Sequence, residues 1–184
     1  MAQDVLIKRY GLGADNKRRT LEAIGEEYDI TRERVRQIEN FAIAALKKAP
    51  TFKEADERYF NELQKLMDNF GGVVHELDFL SSISADKNIQ NHTHFYLVLS
   101  DAFTKLKEDD EFYHRWTTNK SLADKVHSSI RNLCNQFSDK DLISEVQLVS
   151  NFLKELEGVT KDQKVKDFAE RWIALSKQIG KNPL

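Results

Sequence analysis

The chain has 184 residues, 40% of them hydrophobic and 32% charged, with a formal net charge of −2, which is the composition of a soluble globular protein long enough to bury a core. With two prolines, seven glycines, no apolar run of membrane-spanning length and no signal peptide, the sequence predicts neither a low-complexity chain nor a membrane or secreted protein. Its single cysteine, Cys134, excludes an internal disulfide framework, fits a cytoplasmic location and is expected to fill the core.

Residues 20–46 have the pattern of two helices joined by a tight turn. Thr20 is placed to cap a first helix over 21–28, and Thr31 is placed to cap a second. Gly25 allows a close approach between the two helices. Asp29 occupies the turn position where glycine is common, which is acceptable because Asp enters the left-handed region readily. The segment therefore predicts a helix-turn-helix.

The second helix separates into an apolar and a polar face at 100° per residue. The predicted core face comprises Val35, Ile38, Ala42, Ala45 and Leu46. The opposite face carries, at its N-terminal end, a group that we call the ridge: Arg32, Glu33, Arg36 and Gln37. That end of a recognition helix meets base edges in the major groove, where Arg suits guanine, Gln adenine and Glu the cytosine amino group. The alternative is a solvated face, on which Glu33 forms ordinary pairs with Arg36 or Gln37 within the helix.

Three runs, 8–13, 20–25 and 30–39, closely resemble region 4 of sigma-70-type RNA polymerase sigma factors, over roughly residues 5–48. The resemblance implies binding to the promoter −35 element, with the ridge contacting bases. It also implies contacts of a helix N-terminus and of basic residues with the DNA backbone. The predicted backbone contacts are Arg9, Lys17, Arg18, Arg19, Thr20, Leu21, Glu22, Thr31 and Arg34.

Two departures from the family pattern are informative. Residues 40–46 lack the usual lysines and arginines, so Phe41 and Ile43 are predicted to form a surface that packs against the rest of the chain or a partner. Region 4 also has a helical pair before this unit, whereas here residues 5–10 alone precede it. Because residues 1–4 have the pattern of the middle of a helix and residues 180–184 have the pattern of a linker, we expect the chain to be part of a longer protein.

The pattern over 51–120 predicts a winged-helix-like segment. We expect a helix over 52–70 ended by Gly71 and Gly72, a short strand at 73–74 and a helix over 76–83. A polar loop at 84–91, a helix over 93–106 and a strand over 111–117 follow. This order is similar to that of HARE-type winged helices, which occur in bacterial transcription proteins including the delta subunit of RNA polymerase.

Residues 121–184 predict three further helices, over 122–137, 141–156 and 161–179, which pack on the body. Val146, Val149 and Leu153 form one apolar stripe, and Trp172 is predicted to be a core anchor. The expected domains are therefore 1–50, 51–120 and 121–184. The expected fold class is mainly α: a helix-turn-helix head followed by a winged-helix-like, mostly helical body with little β structure.

No enzyme, cofactor or metal site is predicted. His92 and His94 would point apart on a helix, and no phosphate-binding glycine loop, nucleophile elbow or zinc motif occurs. Residues 1–50 hold ten Lys plus Arg against eight Asp plus Glu, a net of +2, which leaves 18 against 22, a net of −4, for the remainder. This balance predicts weak DNA binding without tethering or a second module.

The sequence thus predicts a bacterial, cytoplasmic, nucleoid-associated transcription factor that binds a promoter-like DNA duplex sequence-specifically. The alternative is a protein-interaction module that binds core RNA polymerase or another transcription protein, with its DNA face secondary or masked.

Overall fold

The structure, a computed structural model, describes residues 1–138, 142–156 and 165–180. It divides into two compact units. Unit 1 comprises Met1–Glu62 and Leu80–Asp101, and unit 2 comprises Leu63–Phe79 and Ala102–Leu184. Unit 1 is therefore built from two separate stretches of chain, and it takes residues 80–101 from the segment predicted to be winged-helix-like.

The described residues form mostly helices, with one small sheet. The helices are α1 (Ala2–Tyr10), α2 (Leu21–Tyr28), α3 (Arg32–Lys48), α4 (Pro50–Asn69), α5 (Glu76–Ile83), α6 (Lys87–Leu99), α7 (Lys120–Cys134), α8 (Glu145–Leu156) and α9 (Val165–Ile173). The strands are β1 (Val73–His75), β2 (Thr104–Leu106) and β3 (Arg115–Thr117), which pair antiparallel in the order β1-β3-β2. The predicted class, mainly α with little β structure, is confirmed.

The predicted boundaries were wrong around α6. The helix begins at Lys87, inside the expected loop 84–91, because the Asp86 carboxylate caps it by accepting from the Asn88 backbone N–H at 2.8 Å. It ends at Leu99, and residues 104–106, predicted to be helical, form β2 against β3. The strand predicted over 111–117 is limited to 115–117.

The C-terminal helices are also shorter than predicted. α7 ends at Cys134, and residues 135–137 continue it as a turn. α8 begins at Glu145, and α9 covers Val165–Ile173. The expected helical positions 141 and 161–164, and the linker residues 181–184, lie outside the described residues.

Two apolar clusters hold unit 1 together. Val5, Ile24 and Val35 are fully buried where α1, α2 and α3 meet. A second cluster joins Leu6, Tyr10 and Ala42 to Phe95 and Val98 of α6. Burial of such side chains contributes about 1.5–3 kcal/mol each, so α6 stabilises the face of α1 and α3 that it covers.

The core of unit 2 is formed by α7, α8 and α9 together with β1. Trp172 is 2% exposed, as predicted for a core anchor, and Phe112 and Phe152 are equally buried. Val146, the first residue of the predicted apolar stripe, is 81% exposed, because it lies in the first turn of α8, ahead of the turns that bury Phe152 and Leu156. Among the described helices, none combines the length and apolarity needed to cross a bilayer.

Candidate nucleic-acid interface

The turn between α2 and α3 is fixed by local interactions. The Thr20 hydroxyl accepts from the Ala23 N–H at 3.1 Å, and the Thr31 hydroxyl accepts from the Arg34 N–H at 3.2 Å, so both predicted caps are present. Asp29 lies in the left-handed region at φ 53°. A Cβ on Gly25 would lie 2.6 Å from the Ile30 carbonyl oxygen, which shows why the smallest residue stands there. These contacts set the angle at which α3 leaves the turn.

The buried face of α3 is shorter than predicted. Val35 and Ala42 are buried, but Ala45 and Leu46 are exposed, because α3 extends beyond the core that α1 and α2 provide. Glu39, which helical periodicity did not mark as a core residue, is 8% exposed. Its carboxylate accepts from the Tyr10 hydroxyl at 2.8 Å. The pKa of Tyr10 is raised, mainly because the ring is buried and secondarily because of the negative charge of Glu39. The feature of the sequence that could have indicated a buried acid is Tyr10, whose hydroxyl needs a hydrogen-bond partner when the ring is buried.

All four ridge residues are exposed at the N-terminal end of α3. Their geometry also includes the pairs that the alternative interpretation expected. Arg36 donates from Nε and Nη2 to the two Glu33 carboxylate oxygens at 2.8 and 2.7 Å, and the Gln37 amide donates to Glu33 at 3.5 Å. Arg32 Nε lies 3.0 Å from a Glu22 carboxylate oxygen of α2.

Together with Glu22, the ridge carries no net formal charge before any ligand arrives, because two carboxylates balance its two arginines. The bidentate Arg36 contact holds the pKa of the Glu33 carboxyl below its usual value and raises that of Arg36, so both groups are charged at neutral pH. The Glu33 and Arg36 side chains are 57% and 52% exposed, and Arg32 is 68% exposed. Exposed ion pairs contribute about 0–1 kcal/mol, so a polar ligand can exchange with them at little cost.

Several predicted backbone contacts are engaged within the chain. Arg9 donates to the Arg19 carbonyl at 3.0 Å, and its Nε lies 3.4 Å from Glu39, too poorly aligned for a hydrogen bond. Arg19 donates to Glu27 at 2.7 Å, and Arg34 donates to Gln37 at 3.3 Å. The structure therefore gives Arg9 a bracing role between α1 and the end of the loop that precedes α2.

The N-terminus of α2 and its preceding loop complete this surface. Thr20 and Glu22 are exposed in the first turn, whereas the Leu21 side chain packs against the core. Lys17 is exposed at the loop. Arg18, its neighbour, donates from Nε to the side-chain Oδ1 of Asn91 in α6 at 2.7 Å.

Asn91 is the main contact between α6 and this loop, and it had no signal in the sequence. Its amide donates to the carbonyl oxygens of Gly11 and Asn16, both at 2.9 Å. The residue is 3% exposed, so three hydrogen bonds converge on a buried side chain. α6 therefore fixes the loop that carries Lys17 and Arg18.

The predicted partner surface divides into two. Ile43 packs against the cluster of Leu6, Tyr10, Phe95 and Val98, so it contacts the rest of the chain as expected. Phe41 is 72% exposed. It is more exposed than Leu46, the other large apolar side chain at the surface of α3, which is 38% exposed.

Comparison with known proteins agrees with this geometry. Residues 2–48 match the family described as sigma-70, region 4, which confirms the predicted resemblance for this segment. The RNA polymerase sigma factors RpoD of Helicobacter pylori strains ATCC 700392 / 26695 and J99 / ATCC 700824 are each 56% identical to the chain over 43 residues. The match covers 23% of this chain and 6% of each relative. No solved structure matches the chain.

Proposed function

We propose that unit 1 binds double-stranded DNA sequence-specifically, with the ridge in the major groove of a −35-type promoter element. The observation that carries this proposal is the joint exposure of Arg32, Glu33, Arg36 and Gln37 at the N-terminal end of a helix whose angle is fixed by a capped turn. The similarity of residues 2–48 to sigma-70 region 4 supports it.

The ridge supplies the donors and acceptors that base edges require. Arg32 can form two hydrogen bonds with guanine, and Gln37 can pair with adenine. Glu33 either accepts from a cytosine amino group or keeps Arg36 extended toward the groove. Thr20, Glu22 and Thr31 lie at the starts of α2 and α3, where free backbone N–H groups favour phosphate. Lys17 and Arg34 add attraction that does not depend on sequence.

The test is selection of bound duplexes from a random pool by the full chain at a fixed salt concentration. Arg32→Ala should then weaken binding to the selected duplex by about 1–3 kcal/mol and relax preference at one base pair. Arg34→Ala should weaken binding to all duplexes alike, and Lys125→Ala, which removes an exposed cation of α7 in unit 2, should change neither quantity. Equal affinities of the parent and Arg32→Ala for the selected duplex would contradict the proposal.

A second candidate function is a protein-interaction module that binds core RNA polymerase. It is favoured by the pairing of both ridge arginines with Glu22 and Glu33, which reduces their attraction to DNA, and by the exposed Phe41. Its test is capture of core polymerase by the full chain after nuclease treatment. Capture that persists without DNA, combined with no enrichment in the duplex selection, would favour this function over DNA binding.

A further inference from the structure

Phe41 continues the line of the ridge along α3. Glu33, Gln37 and Phe41 are successive residues four apart, so each lies about 6 Å further along the helix axis and about 40° further around it. Phe41 therefore follows Gln37 on the side of α3 that faces away from the core. Its 72% exposure means that α1, α2 and α6 leave most of the ring uncovered.

The surroundings of Phe41 favour an apolar group over a phosphate. Residues 40–46 carry no charged side chain, Asn40 is the one residue among them whose side chain can donate, and Ala44 and Ala45 are exposed beside Phe41. The groove offers one apolar group on a base edge, the C5-methyl of thymine, which phenylalanine contacts in major-groove complexes.

We propose that Phe41 is a specificity-determining residue that packs on a thymine methyl group next to the base pair contacted by Gln37. This inference rests on the proposed function, since it requires α3 to lie in the major groove. Contact with the methyl group would remove an exposed aromatic ring from water and would add one base pair to the set distinguished by the ridge.

The experiment measures affinities for a duplex taken from the selection, in which each thymine is replaced in turn by deoxyuridine. Deoxyuridine keeps base pairing and removes only the methyl group. For the parent, one replacement should weaken binding about fourfold, which corresponds to about 0.8 kcal/mol for one buried methyl-sized group. Phe41→Ala should bind the thymine duplex more weakly, by at least the same factor, and should not distinguish the two duplexes.

Leu46→Ala is the matched control, because Leu46 is another exposed apolar side chain of α3, about 140° around the helix from Phe41. It should retain the full thymine preference. The inference is wrong if every thymine-to-deoxyuridine replacement weakens binding of the parent no more than it weakens binding of Phe41→Ala. Sequence-specific binding that still depends on Arg32 would then leave the proposed function intact, whereas loss of all selective binding would reject both.

Discussion

The contact of Asn91 with the loop 11–19 gives a quantitative prediction for the stability of unit 1. Asn91→Ala removes two neutral hydrogen bonds and one from the Arg18 guanidinium, and it leaves the Gly11 carbonyl without its amide donor. At about 1 kcal/mol for each neutral bond and about 1.5 kcal/mol for the charged one, the expected loss is about 3.5 kcal/mol. The value of about 1.5 kcal/mol for the bond from Arg18 lies at the low end for a charged donor, because Arg18 is exposed to solvent.

The assay is hydrogen exchange followed by mass spectrometry on the full chain, read on peptides from α1 and from α2. Where exchange proceeds through opening of unit 1, a loss of about 3.5 kcal/mol should accelerate it about four-hundredfold. Asn88→Ala, which removes a single bond to the Asn16 side chain at 2.9 Å, should cost about 1 kcal/mol or less. Exchange of α1 and α2 that is equally fast in the parent and in Asn91→Ala would refute the reasoning.

Two further predictions concern charged and titratable groups. Glu22→Gln removes the acid that pairs with Arg32 at 3.0 Å but keeps the backbone N–H of α2, so DNA affinity should rise several-fold, with a steeper salt dependence. An unchanged affinity would indicate that the pair does not oppose binding. In unit 2, the pKa of His127 is lowered to about 4, mainly by burial and secondarily by the positive charges of Arg115 and Arg131. The unfolded chain, with a pKa near 6.5, binds the proton first, so stability should fall by up to about 3 kcal/mol as the pH drops from about 6.5 to about 4. His127→Gln should flatten this slope in urea titrations followed by tryptophan fluorescence, and an unaltered slope would assign the dependence to other groups.

The helix-turn-helix could be predicted because its determinants are local. Thr20 and Thr31 cap helices that start at the next residue, and Asp29 adopts the left-handed conformation that the turn requires. The exposed ridge also follows from helical periodicity alone. The pairing of Arg32 with Glu22 could not be predicted, since it depends on the angle between α2 and α3.

The errors fall where distant residues decide the structure. The polar run 84–91 predicted a loop, but Asn91 is buried by hydrogen bonds to Gly11 and Asn16. These partners lie about 75–80 positions earlier in the chain, so the local sequence could not indicate them. β2 exists through pairing with β3, so its three residues carry no strong signal of their own. Glu39 is buried for the same reason, through Tyr10 of α1.

The interrupted course of unit 1 has a consequence for biosynthesis. α1, α2 and α3 leave the ribosome first, but Phe95, Val98 and Asn91 reach them only after another forty or more residues have been added. Domains generally acquire their structure as whole units during translation. The DNA-facing helix is therefore expected to gain its final rigidity late, once position 101 has emerged, and a nascent chain halted near residue 60 should still be susceptible to proteases in the loop 11–19.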